Sequence, residues 1–232
     1  MFGMKFLGLK RRMGRAVGYG APHHTFNIAL FATIMVAVFV NPAAAQQKRL
    51  LIFGDSLVAG YGLPREAGFI SQLDQVLKAA GHEVFLIDGG VSGDTSAGGR
   101  ARIGWSLMER PTHALVELGA NDALRGVNPK ETKKNLQRIL DSLERAHVPV
   151  LLAGMRAPRN LGDDYADEFD DIYGDISGNI SVALYPFFLE GVALQPELNQ
   201  PDGIHPNVKG VAIIVQRVLP DIFKLLRRKP LR

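Results

Sequence analysis

Ser56 and His205 are separated by nearly two-thirds of the chain, yet together they carry the parts of an acyl-transfer site. A serine hydroxyl is a weak nucleophile until a base takes its proton, and imidazole is the side chain suited to that near neutral pH. Asp202 precedes His205 by three positions in Asp202-Gly203-Ile204-His205-Pro206. That spacing lets a carboxylate accept from Nδ1–H within one turn, which leaves Nε2 to face the serine. Gly203 and Pro206 make the segment a defined turn rather than a continuing helix. A metal pair is the rival reading of Asp-x-x-His, but no third or fourth ligand stands at a sensible spacing.

Two more islands supply donors, Ser92-Gly93-Asp94-Thr95 and Gly119-Ala120-Asn121-Asp122. A tetrahedral intermediate carries an oxyanion that needs fixed hydrogen-bond donors in a water-poor site. Gly93 lets the backbone approach closely, the Asn121 amide offers an uncharged N–H, and the Ser56 N–H is a third donor. Taken singly, each island has a plain reading: Ser56 as a turn or cap serine, Gly93 and Asn121-Asp122 as turns, His205 as a loop residue. Taken as a set, they describe a serine esterase with a three-donor oxyanion hole. Asp55, Asp94 and Asp122 are read as loop-ordering residues. Trp105 is read as helix packing, and His82, His113 and His147 as solvated residues at element ends.

These islands need elements to bring them together. Leu50–Phe53, Val84–Ile87, Ala114–Leu118 (interrupted by Glu117) and Val148–Ala153 are apolar runs, and Ile180–Leu184 is a weaker fifth. Such runs suit a parallel sheet covered on both faces. Between them, Ile70, Leu73, Val76 and Leu77 share one helical face, and Leu136, Ile139, Leu140 and Leu143 another. Pro129 is placed to open the second of these helices. Val211, Ile214, Val215 and Val218 mark a last helix, which Pro220 is expected to break or kink. Strand–helix alternation implies βαβ crossovers and a three-layer α/β/α domain. Three islands directly follow strands, at the edge where sites gather in open α/β sheets. Val58 stands where a Gly-x-Ser-x-Gly elbow would have its second glycine, which disfavours an ordinary α/β-hydrolase.

Residues 1–45 hold five basic side chains and no acid. A thirteen-residue run, Ile28 to Val40, precedes Asn41-Pro42 and Ala43-Ala44-Ala45. That order predicts a signal peptide cleaved after Ala45, with an uncleaved anchor as the alternative. The run is short for a membrane span of about 20 residues. Without these residues the formal net charge of +4 becomes −1, so the folded part carries no excess of positive charge for nucleic acid. The remaining 187 residues, 46–232, suit one domain. The chain has no cysteine, so no disulfide or thiol chemistry enters.

The stretches Leu51–Pro64, Val91–Ser96, Val116–Gly126, Gly154–Pro158 and Pro201–Asn207 resemble, as a set, those of the SGNH (GDSL-type) hydrolases. The likeness is greatest to the bacterial periplasmic group of multifunctional thioesterases, lysophospholipases and arylesterases, and runs from about residue 50 to about residue 226. The resemblance implies a flavodoxin-like sheet of five parallel strands. It also implies Ser56 as nucleophile, His205 as base, Asp202 as its orienter, and Ser56, Gly93 and Asn121 as the oxyanion hole. No cofactor and no metal is implied. The expected partner is a small acyl ester or thioester, in the periplasm or outside the cell. The resemblance places a mobile substrate loop at Arg159–Tyr165, made acidic here by Asp163-Asp164. A carbohydrate or peptidoglycan O-deacetylase on the same scaffold is the alternative activity. A silent binding protein would show a broken triad, and none is broken here.

Overall fold

The structure, a computed structural model, describes Gly18 and residues 47–178 and 182–229. The predicted signal peptide, Gly18 apart, lies outside the described residues. Five strands form one parallel sheet: β1 (Lys48–Gly54), β2 (Val84–Gly90), β3 (His113–Glu117), β4 (Val150–Ala153) and β5 (Val182–Tyr185). Their order is β2-β1-β3-β4-β5. The order reverses beside β1, which pairs with β2 on one side and β3 on the other. A crevice opens beyond the strand ends at such a switch point.

Register explains why distant islands meet. Gly54, the last residue of β1, pairs with Gly90 of β2 and with Glu117 of β3. The loops that follow all three strands therefore start level, on the same edge. β3 is buried along its whole length and β4 likewise, as expected for strands covered on both faces. β2, at the sheet edge, has exposed positions at Phe85 and Asp88. The fifth strand begins at Val182, and the Ile180-Ser181 start expected for it lies outside the described residues.

Helices α1 (Ser56–Ala59), α2 (Phe69–Ala79), α3 (Ser96–Met108), α4 (Ala120–Leu124), α5 (Pro129–Arg145), α6 (Asp163–Ile176) and α7 (Val208–Arg227) complete the described fold. The α2, α5 and α7 stripes read from the sequence are largely the buried faces. Pro129 sits in the first turn of α5, after an Asn128 side chain that accepts from the Lys130 N–H at 2.9 Å. Pro220 does not break α7, which runs on to Arg227. Val215 and Val218 before it, and Ile222, Leu225 and Leu226 after it, are all buried. That packing outweighs the one lost hydrogen bond and the ring clash, together about 3 kcal/mol.

Two expectations about single residues are corrected. Trp105 is not helix packing: it is 75 % exposed, because α3 buries Ser96, Gly99 and Ile103 on its other side. His113 is not a solvated end residue. It is buried on β3, with Nδ1 2.9 Å from Thr112 Oγ1 and Nε2 3.0 Å from the Arg228 carbonyl. Burial lowers its pKa, which favours the neutral ring.

Arg102 on α3 clamps the edge from which these loops leave. Its guanidinium donates to the carbonyls of Gly89 and Gly54 at 2.9 and 3.0 Å and to Asp94 Oδ2 at 2.7 Å. It also lies 4.0 Å over the Phe53 ring. One side chain thus ties the ends of β1 and β2 to the loop that carries Gly93.

Candidate active site

Ser56 is the first residue of α1, directly after Asp55. Asp55 caps this short helix, its Oδ1 accepting from the Leu57 N–H at 3.0 Å. The first N–H groups of a helix have no intrahelical acceptor, and the Ser56 N–H donates to nothing among the described residues. The hydroxyl donates to His205 Nε2 over 3.0 Å. On the far side of the ring, Nδ1–H donates to Asp202 Oδ2 at 2.7 Å.

The segment that presents His205 is built for the purpose from its own residues. Asn199 and Pro206 form an antiparallel bridge, and the Gln200 N–H donates to the His205 carbonyl at 2.7 Å. Gly203 turns the chain at φ 71°, a conformation that favours glycine. Asp202 Oδ1 accepts from the Ile204 and His205 N–H groups at 2.9 and 3.0 Å. These backbone hydrogen bonds, with the imidazole, bring the Asp202 carboxyl down to about 2. Asn207 then caps α7 through the Lys209 and Gly210 N–H groups.

Gly93 and Asn121 lie on the neighbouring loops. Gly93 has φ 81°, and its N–H donates to nothing among the described residues. Its carbonyl accepts from Arg125 Nη2 at 2.9 Å. Asn121 is on α4, and its Nδ2 donates to Asp55 Oδ2 at 3.1 Å. Asp122 locks the two loops together. It accepts from the Ser96 N–H at 2.7 Å, the Ser96 hydroxyl at 2.5 Å and the Thr132 hydroxyl at 3.1 Å. The expectation that Asp122 orders a loop matches this network.

Several contacts had no distinctive signal in the sequence. The Tyr61 ring lies against the His205 ring, centroids 4.6 Å apart. Gln200 Nε2 donates to the carbonyls of Tyr61 and Pro206 at 2.7 and 3.0 Å, which joins the serine loop to the histidine loop. Tyr61 and Gln200 are 139 positions apart, so only the fold makes them neighbours. The glycines flanking Tyr61 mark a turn, not a partner. Arg159 meets Asp163, Asp167 and Asp170, so it faces one of the two acids expected of the 159–165 segment and two carboxylates beyond it.

Beneath the serine lie two buried carboxyl groups, Asp55 and Glu117, each 0 % exposed. Burial pushes Asp55 up to about 6, against the lowering effect of the Leu57 N–H and the Asn121 amide. Burial, then the nearby Asp55 charge, pushes Glu117 well above its ordinary 4.5. An acid raised on folding binds more proton in the folded chain, so its contribution to stability falls as pH rises above the unfolded value. Glu117→Gln removes that penalty. Its stability relative to wild type is therefore expected to rise from pH 5 to pH 7, by about 1.4 kcal/mol per pH unit at most. Urea unfolding of both proteins at pH 5, 6 and 7 measures this, and parallel profiles would contradict it.

A cleft of about 580 Å³ lies elsewhere, lined by Met155, Arg156, Ala157, Tyr173, Leu184 and Pro186 among others. None of Ser56, Gly93, Asn121, Asp202 or His205 lines it. Volume alone does no chemistry, and the hydroxyl–imidazole–carboxylate chain is the arrangement that can activate a nucleophile.

Residues 52–213 match the model of the GDSL-like Lipase/Acylhydrolase family. The arylesterase of Vibrio mimicus is 39 % identical over 194 residues, covering 83 % of this chain and 97 % of the relative. The thioesterase 1/protease 1/lysophospholipase L1 of Escherichia coli is 40 % identical over 171 residues, covering 73 % and 81 %. Among solved structures, the psychrotrophic esterase EstA from Pseudoalteromonas sp., inhibited by monoethylphosphonate, superposes with a TM-score of 0.74 at 34 % identity, covering 78 % of this chain and all of that one. A family model spanning more than half the chain, the extent of these likenesses and the five-stranded parallel sheet agree. The chain belongs to the GDSL-like lipase/acylhydrolase family, the SGNH hydrolases, and is a carboxylic ester hydrolase.

Proposed function

We propose that this chain is an exported serine esterase that works through an acyl-enzyme on Ser56. Ser56 Oγ attacks the acyl carbonyl while its proton passes to His205 Nε2. Asp202 holds the ring in the tautomer that leaves Nε2 free and stabilises the imidazolium that forms. The negative charge on the carbonyl oxygen is met by the N–H groups of Ser56 and Gly93 and by the Asn121 amide. Collapse expels the alcohol or thiol, protonated by the imidazolium. Water then repeats the sequence on the acyl-enzyme and frees the acid. The observation that carries this reading is the hydrogen-bond chain from Ser56 Oγ through the His205 ring to Asp202, 3.0 Å and then 2.7 Å.

The substrates proposed are aryl esters, short and medium acyl esters and thioesters, including acyl-CoA and lysophospholipid. The names of the Vibrio and Escherichia relatives support that range. A panel of p-nitrophenyl esters and acyl thioesters of graded chain length, run beside acetylated glycans, tests it. Turnover of simple esters with a chain-length preference supports the esterase. Acetate release confined to the glycans would favour the O-deacetylase. Export is read from the basic, apolar and small-residue order of positions 1–45. N-terminal sequencing of protein from the periplasmic fraction tests it, with Gln46 expected first.

A further inference from the structure

Two carboxyl groups sealed behind a nucleophile are costly to keep, since neither Asp55 nor Glu117 gains from a lysine or arginine partner among the described residues. Their hydrogen bonds show what they hold. Asp55 divides its carboxylate: Oδ1 caps α1, and Oδ2 accepts from the Asn121 amide at 3.1 Å. Glu117 Oε2 accepts from the Asp55 N–H at 3.3 Å, while Glu117 Oε1 is buried without a partner. A buried carboxyl oxygen without a partner costs least when its group is neutral, and burial with the nearby Asp55 charge favours that form. Asp55 then stays anionic toward Asn121, and Glu117 stays neutral behind it.

The Asn121 amide has two hydrogens on a planar nitrogen. Fixing one N–H fixes the direction of the other, and nothing else among the described residues accepts from this amide. We propose that Asp55, backed by Glu117, is a positioning residue of the oxyanion site: it holds one N–H of Asn121 and so aims the second at the developing oxyanion. This rests on the reading of Asn121 as an oxyanion donor. It gives Asp55 a part in the reaction that capping a four-residue helix does not.

A double-mutant cycle separates positioning from capping. Asp55→Asn keeps an oxygen for the Leu57 N–H but turns an amide donor toward the Asn121 donor. With a p-nitrophenyl ester, Asn121→Ala is expected to lower kcat by about 10²-fold. Asp55→Asn is expected to lower it by about 10- to 100-fold with KM little changed, and the double variant to fall within about threefold of the slower single one. Losses that multiply in the double variant, or a wild-type kcat for Asp55→Asn, would overturn the proposal. Wild-type kcat for Asn121→Ala would instead remove Asn121 from the oxyanion hole, and the positioning role with it. If Asp55→Asn fails to fold, Asp55→Ser retains a capping oxygen and carries the same cycle. Glu117→Leu should also lower kcat, and Glu117→Gln, which restores a donor and an acceptor, should recover most of it. Equal losses in those two would overturn the part given to Glu117.

Discussion

Ser56→Ala is expected to lower ester turnover by about 10⁴-fold or more while the protein keeps its wild-type melting temperature. The substitution removes one oxygen from the first turn of α1. The Asp55 cap on the Leu57 N–H does not involve that oxygen, so the helix keeps its start. His205 keeps its Asp202 partner and its Tyr61 neighbour. Only the nucleophile is lost, and the residual rate reflects whatever the oxyanion donors and substrate binding still contribute. Initial rates on a p-nitrophenyl ester, with a thermal melt of the same sample, measure both halves. A folded variant with near-normal turnover would remove Ser56 from the mechanism. Covalent labelling by a fluorophosphonate should disappear in the same variant.

The second large effect is expected from Asp202→Asn, a loss in kcat of about 10²- to 10⁴-fold with KM little changed. The reasoning is tautomeric. Oδ1 of residue 202 holds the Ile204 and His205 N–H groups, and an asparagine oxygen can keep both. The asparagine NH₂ then faces Nδ1, where the carboxylate had accepted. Two donors cannot face each other, so Nδ1 gives up its hydrogen and Nε2 carries it instead. An Nε2–H cannot take the proton of Ser56. The Asp202 side chain is 37 % exposed, so water can partly replace it, which is why the expected range reaches down to 10². The wild-type pH profile is linked to the same geometry. With Asp202 at about 2, its charge is present throughout the range in which esterases are assayed. It is lost only as pH falls through that value. A change in activity between pH 5 and pH 8 is therefore not expected to come from Asp202.

Much of this molecule can be read from residue order. The apolar runs identify the strands because parallel strands buried on both faces are apolar at most positions, not at alternate ones; His113 and Glu117 in β3 are the buried exceptions. Helix stripes at Leu136, Ile139, Leu140 and Leu143 follow from the 3.6-residue period. The residues placed in the triad and the oxyanion hole are also local in their signal: each sits in a short glycine-marked segment directly after a strand, or in a turn such as Asp202–His205. Where local reading failed, packing had decided. Pro220 lies in a continuous helix because its neighbours are buried, and Trp105 is exposed because α3 packs through two small residues and one isoleucine.

The sequence by itself determined the α/β class, the strand and helix order, and the side chains able to activate a hydroxyl, because those depend on contacts within a few residues. Only the tertiary structure decided what stands next to what across the chain. The sheet order β2-β1-β3 brings Gly54, Gly90 and Glu117 level. That register puts Asp55 against Asn121, Glu117 against Asp55, and Tyr61 beside His205. No spacing in the sequence encodes these pairings, since they arise from the burial of whole strands rather than from any local preference of the residues that meet.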